Sequence, residues 1–202
     1  MRILFAFFAA LFLFSATAAR AEDPPVSQPT PPAAATPPIA VTKEARLDQL
    51  FADLKRERNE KAAERIAGRI WGEWFQSGSA SIDLMMQWSQ KAMDDQKFDV
   101  ALDFLDQVVT LQPKYAEGWN RRATVHYMMR NFGKSMSDID QTLQLEPRHF
   151  GALSGLAQIM AATGHKQSAL EAWQKVLAIY PMMRSAQDQV ATLSEELAGE
   201  GI

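Results

Sequence analysis

Apolar residues fall along the chain in runs with helical spacing, and the runs repeat. With Ile82, Ala116 and Phe150 as the first residues of successive 34-residue units, the fourth position is Met85, Trp119 and Leu153. The seventh is Trp88, Arg122 and Leu156, and the eleventh is Ala92, His126 and Met160. The eighth (Ser89, Ala123, Ala157) and the twentieth (Ala101, Ser135, Ala169) are small every time. The twenty-fourth is Leu105, Ile139 and Trp173, and the twenty-seventh is Val108, Thr142 and Val176. The thirty-second is always proline: Pro113, Pro147 and Pro181. Small residues at two fixed places predict two helices crossing closely there, because a bulky side chain would force the backbones apart. The proline predicts the end of the second helix, since it lacks an N–H and clashes with the preceding turn. A fixed period of this length predicts stacked two-helix units sharing one core.

The phase extends beyond the three units. Thirty-four residues before Ile82, the same positions hold Phe51, Leu54, Ala67, Trp71 and Trp74, with Ser79 in place of the proline. Lys43–Asn59 and Glu60–Gln76 therefore read as a degenerate first helix pair, ended by Ser77-Gly78-Ser79. After Pro181, Val190, Leu193 and Leu197 recur at helical spacing, and this last helix is expected to cap the stack.

The N-terminus reads differently. Arg2 precedes an apolar run from Ile3 to Phe14, and small residues lead to Ala19-Arg20-Ala21. This is the pattern of a secretory signal peptide over 1–21, cleaved after Ala21. The competing reading is an uncleaved anchor, because Ile3–Ala19 is close to the roughly 17-residue minimum for a membrane span. Residues 22–42 carry seven of the ten prolines among Ala, Thr and Ser, a composition that cannot bury apolar area and predicts an extended linker.

The repeated pattern resembles the tetratricopeptide repeat (TPR), with its early Trp or Leu, small eighth and twentieth residues and proline at the thirty-second position. The resemblance implies an all-α, right-handed solenoid of stacked antiparallel helix pairs: a degenerate pair over 43–81, units over 82–115, 116–149 and 150–183, and a capping helix over 184–202. Arg122 and His126 depart from the usual Leu and Tyr. Gly164 keeps a turn glycine that Gln96 and Arg130 replace, and Lys166 stands where Phe98 and Phe132 open the second helix. The stretches from Ile70-Trp71 to Met85, Trp119-Asn120-Arg121-Arg122-Ala123 and Glu146 to Leu153 resemble exported alphaproteobacterial TPR proteins.

By the same resemblance, the first helices of the units line a concave groove that holds a protein or peptide partner. The implied lining residues are Asp83, Met86, Gln90, Met93 and Asp94 in the first unit. The second supplies Glu117, Asn120, Arg121, Thr124, Tyr127 and Met128, and the third Gly151, Ser154, Gln158, Ala161 and Ala162. Gln90, Asn120 and Tyr127 are the first residues to test. Family members that clamp a partner's C-terminal carboxylates use Lys, Asn and Arg; the matching slots here hold Met86, Gln90, Arg121, Gly151 and Gly155, so that mode of capture is not expected.

Composition narrows the function further. Formal charge is −3 for the chain and becomes −5 when Arg2 and Arg20 leave with the signal, which argues against a nucleic-acid partner. The absence of cysteine removes disulfides, thiol chemistry and lipidation at a cysteine. His126, His149 and His165 form no ligand cluster with metal spacing. No glycine-rich phosphate loop or G-x-S-x-G turn is present. Asp94, Asp95, Asp99, Asp103 and Asp106 read first as a solvated helix surface and second as a docking patch for a basic partner. One member of each of the pairs Met85-Met86, Met128-Met129 and Met182-Met183 is expected to fill the core, leaving the other for an adaptable surface. No catalytic constellation, cofactor site, metal site or small-molecule substrate site is expected. The sequence reads as a non-catalytic, exported binding scaffold of the periplasm, with a membrane-anchored envelope assembly factor as the alternative.

Overall fold

The computed structural model describes residues 42–199. The expected signal peptide, all but the last residue of the expected linker, and the last three residues lie outside them. The described residues form nine α-helices and no strand: α1 (Lys43–Arg56), α2 (Glu60–Trp74), α3 (Ala80–Asp94), α4 (Phe98–Leu111), α5 (Ala116–Met128), α6 (Phe132–Leu145), α7 (Phe150–Ala162), α8 (Lys166–Ile179) and α9 (Arg184–Gly199). Thr42 and Asn59 cap α1 and α2, accepting hydrogen bonds from the N–H groups of Ala45 and Ala62, which satisfies donors that a helix start leaves free.

Three pairs, α3–α4, α5–α6 and α7–α8, form the array, with α4 packing on α5, α6 on α7, and α5 on α7. The small positions sit at the crossings: Ala101, Ala157 and Ala169 are fully buried, as is Ser89. Ser135 turns its hydroxyl to the Ala123 carbonyl at 2.7 Å, so a polar residue fits there without an unmet hydrogen bond. α4, α6 and α8 each end two residues before their proline, as expected from the steric block on the residue before it. Replacing Ala101 or Ala169 by Leu should overpack a crossing and cost roughly 1–3 kcal/mol. Urea unfolding checks this, and an unmoved midpoint would contradict the repeat register.

The turn inside each unit has one geometry. Gln96, Arg130 and Gly164 all take positive φ, at 58°, 59° and 82°. The next N–H reaches back over the helix end in every case, from Lys97 to Ala92 O, from Asn131 to His126 O, and from His165 to Met160 O, each at 2.8 Å. This Schellman closure satisfies carbonyls at the helix end. Two of the three units hold it with a residue other than glycine, at a steric cost that glycine avoids.

The N-terminal pair is where the expected architecture needs correction. Both helices form, but α1 and α2 do not stack on α3 as a preceding unit would. Their apolar residues Leu47, Leu50, Phe51, Leu54, Ala67, Ile70 and Trp74 instead share one core with Phe150 and Leu153 of α7, Trp173 and Val176 of α8, and Leu193 of α9. The hairpin bends back across the array to its far end. The physical reason is burial: α7–α9 offer large aromatic and branched residues to a face rich in Phe and Trp. The expected capping role of α9 agrees with its packing on α8 and the burial of Leu193.

Candidate functional site

The inner face is built from α3, α5 and α7, and the hairpin packs over the start of α7 at the C-terminal end of the array. Trp74 lies flat on the His149 ring, centroids 4.0 Å apart and planes 7° from parallel. Trp71 meets His149 and Phe150 edge-on, both at 5.5 Å. Gly151 makes this possible: a Cβ there would stand 2.7 Å from Cη2 of Trp71. The close approach that small residues of α7 permit is thus taken by an indole of the same chain.

Beneath the indoles is a polar cluster. His149 opens α7, its Nδ1 accepting from the Ala152 N–H at 3.1 Å, while its Nε2 lies 3.2 Å from Glu117 Oε2. The accepting Nδ1 leaves the ring proton on Nε2, directed at the carboxylate. Glu117 also accepts from Asn120 Nδ2 at 2.9 Å and from Arg121 at 3.3 Å. Arg121 in turn donates to Gln90 Oε1 and stands over the Phe75 ring at 5.4 Å. Glu117, almost fully buried, is therefore matched by hydrogen bonds and one cation, as a buried carboxylate must be.

The linker between α2 and α3 is tied to the array as well. Asp83 accepts from the N–H and hydroxyl of Ser77 at 2.9 and 2.6 Å. Gln112 donates to Ser77 O at 2.7 Å, and Tyr115, whose phenol pKa is pushed up by burial, donates to Phe75 O at 3.2 Å. On the outer side Arg148 bonds Asp48 at 2.7 Å and covers the Phe51 ring at 4.2 Å.

These contacts divide the residues expected in the groove. Glu117, Asn120 and Ser154 are buried and engaged within the chain, and Met86 and Met93 are core. Asp83 is committed to the linker, and Arg121 to Glu117, Gln90 and Phe75. Gln90, Asp94, Thr124, Met128 and Gln158 remain exposed and Tyr127 half-exposed. Gln90 donates to Asp94 at 2.7 Å. Two clefts mark this open strip. One of about 400 Å³ is bordered by Phe75, Met86, Gln90 and Arg121; the other, of about 140 Å³, lies among Thr124, Tyr127, Gly155 and Gln158. Both members of the Met85-Met86 pair are buried, whereas Met128 is exposed.

His149, Trp71, Trp74 and Phe75 were not among the residues expected here. The signal that could have pointed to them is Gly151, a residue without a side chain on the groove face, in a chain whose hairpin carries paired indoles. Among the described residues, no three His, Asp or Glu side chains come together as a metal site, and no helix is long and apolar enough to cross a membrane.

No family profile matches the chain. A TPR repeat-containing protein of Rhizobium etli is 55% identical over 154 residues, covering 76% of this chain and 76% of its own length. The chain belongs to the tetratricopeptide-repeat proteins. Its fold agrees with solved TPR domains. The first TPR domain of Spaghetti, solved with an HSP90 peptide, superposes with a TM-score of 0.55 at 20% identity, over 58% of this chain and 93% of that one. The Sgt2 TPR domain of Aspergillus fumigatus gives 0.57 at 16% identity, over 61% and 83%. Within this TPR protein, the three gap-free units are α3–α4, α5–α6 and α7–α8, and the hairpin α1–α2 lies over the groove they form.

Proposed function

We propose that this TPR protein is a non-catalytic adaptor that captures a segment of a partner protein in the part of its concave groove left open by the hairpin. The observation that carries the reading is the strip Gln90, Asp94, Thr124, Tyr127, Met128 and Gln158. It follows one face of three stacked helices and is exposed, Tyr127 by half, although its neighbours toward the hairpin are buried. Gly155 in α7 flattens one wall and Met128 adds an adaptable apolar contact, a surface suited to an extended or helical segment.

The peptide held by the Spaghetti domain supports a peptide as the class of partner. The mode of capture differs from a carboxylate clamp in this reading. Of the slots such a clamp would use, Met86 is buried, Gly151 lies under Trp71, and Arg121 already serves Glu117 and Gln90. Export to the periplasm, with cleavage after Ala21, completes the proposal and rests on the N-terminal pattern. N-terminal sequencing of the protein from cells tests it: a chain beginning at Glu22 supports export, and one retaining Met1–Ala21 favours an anchored assembly factor.

The groove itself is tested by in-cell crosslinking of the full chain beside the triple variant Thr124→Ala, Tyr127→Ala, Gln158→Ala. Thr124 and Gln158 are exposed and Tyr127 lies half-buried against the Ala123–Ile159 core and the Phe132 ring, so the variant should lose about 1–2 kcal/mol and stay folded, as its circular dichroism spectrum checks. It should lose at least tenfold in the amount of its crosslinked partner. A partner retained at full level by a folded variant would place capture elsewhere.

A further inference from the structure

Among the described residues, the array has an uncovered end. The seventh and twenty-third residues of a unit meet on the face turned to the preceding unit. In the second unit these are Arg122 and Asp138, and Arg122 also reaches Asp106 of α4. In the third, Leu156 joins Leu143 of α6 on one shared core. In the first unit the same places hold Trp88 and Phe104, rings 5.4 Å apart, and among the described residues no preceding unit covers them. Leu84, Trp88 and Val100 are 42%, 47% and 43% exposed. Trp88, Val100 and Phe104 border a recess of about 360 Å³ rimmed by Lys91, Asp95 and Lys97, and Leu84 lies one helical turn before Trp88. A contiguous apolar patch with a polar rim marks an interaction surface.

Candidate occupants can be told apart on physical grounds. The hairpin that shares the repeat phase does not fit, because Leu54, Ile70 and Trp74 are already buried against α7–α9 and would have to leave that core. A head-to-tail stack fails too: the opposite end is closed by α9, whose exposed side chains are polar apart from alanines. A second copy meeting the patch with its own patch satisfies both conditions. A two-fold contact places each surface against itself, so it requires a patch with an apolar centre and both signs at its edge. Trp88 supplies the centre, and Asp95 with Lys91 and Lys97, now only 3.7 and 3.4 Å from it in exposed pairs, supplies the edge.

We infer that the protein forms a two-fold dimer through the exposed end of the array, with Trp88 of each copy packed against the patch of the other. The surface is separate from the groove. Four apolar side chains make a smaller contact than a permanent interface, so the dimer is expected to be reversible.

Sedimentation velocity of the full chain, followed across micromolar to submillimolar concentration, should show a monomer passing to a dimer. Trp88→Glu and, separately, Leu84→Glu should remain monomeric over the same range with an unchanged circular dichroism spectrum. The lack of cysteine permits a second readout that does not depend on those variants: Val100→Cys should give a disulfide-linked dimer under mild oxidation, while Glu195→Cys, at the capped end, should not. A chain that stays monomeric throughout, a dimer indifferent to both glutamate variants, or equal crosslinking of the two cysteine variants would each overturn the inference.

Discussion

Trp74→Ala is expected to lower stability by about 3–5 kcal/mol, the usual range for removing a buried Trp. The indole is 4% exposed and lies between Phe51, Phe150 and His149, at 5.9, 5.1 and 4.0 Å between centroids. Its removal leaves a cavity between hairpin and array and takes the stacked ring from above the His149–Glu117 pair, opening a buried carboxylate toward water. Trp74→Phe keeps an aromatic ring over His149 and should cost far less. Urea unfolding of both variants, with limited proteolysis around residues 57–59 and 75–79, checks the expectation. Cleavage at those linkers should rise in Trp74→Ala, since the hairpin then loses its anchor. A loss below about 1 kcal/mol for Trp74→Ala would mean that the hairpin is held elsewhere.

Arg122→Ala is the second large effect, at about 3 kcal/mol, because it strands a buried charge. The guanidinium donates to both oxygens of Asp138, at 2.8 and 2.7 Å, and to Asp106 at 2.8 Å, and lies 4.8 Å from the Trp119 ring. Its hydrogen bonds to Asp138 hold its pKa above the ordinary value. Asp138 is nearly fully buried and Asp106 exposed, so the cost comes from Asp138 left without its cation, and little of it from Asp106. The double variant Arg122→Leu, Asp138→Leu removes both charges and restores the apolar residue usual at the seventh position. It should recover most of the loss or exceed the parent. Thermal unfolding of the single and double variants forms the test; a double variant as unstable as the single one would refute the account.

The ion pair also shows what the sequence could convey. Arg122 breaks the repeat pattern, and the break is legible; its partner is not, because Asp138 lies on another helix and counts as an ordinary surface residue until the units are stacked. The three stacked units were legible because the small residues, the prolines and the apolar positions keep one phase, and that phase is local chemistry. The helices of the N-terminal pair were legible for the same reason. Their packing site was not, since Phe51, Ile70, Trp71 and Trp74 define an apolar face without naming the surface that it covers. For the groove, the phase placed Glu117, Asn120 and Ser154 on the face of α5 and α7 where they stand, while their burial depends on contacts made across the chain.

The hairpin's return has a consequence for how the chain acquires its structure. Arrays whose units touch only their neighbours can nucleate anywhere and lengthen or fray unit by unit. Here Asp48 is bonded to Arg148, one hundred residues away, and the helices α1 and α2 bury their aromatic face only against α7–α9. The N-terminal hairpin must wait, exposed, for α7–α9, and closing so long a loop slows folding. Once closed, neither end can peel away alone, so the folded domain is expected to unfold in a single cooperative step.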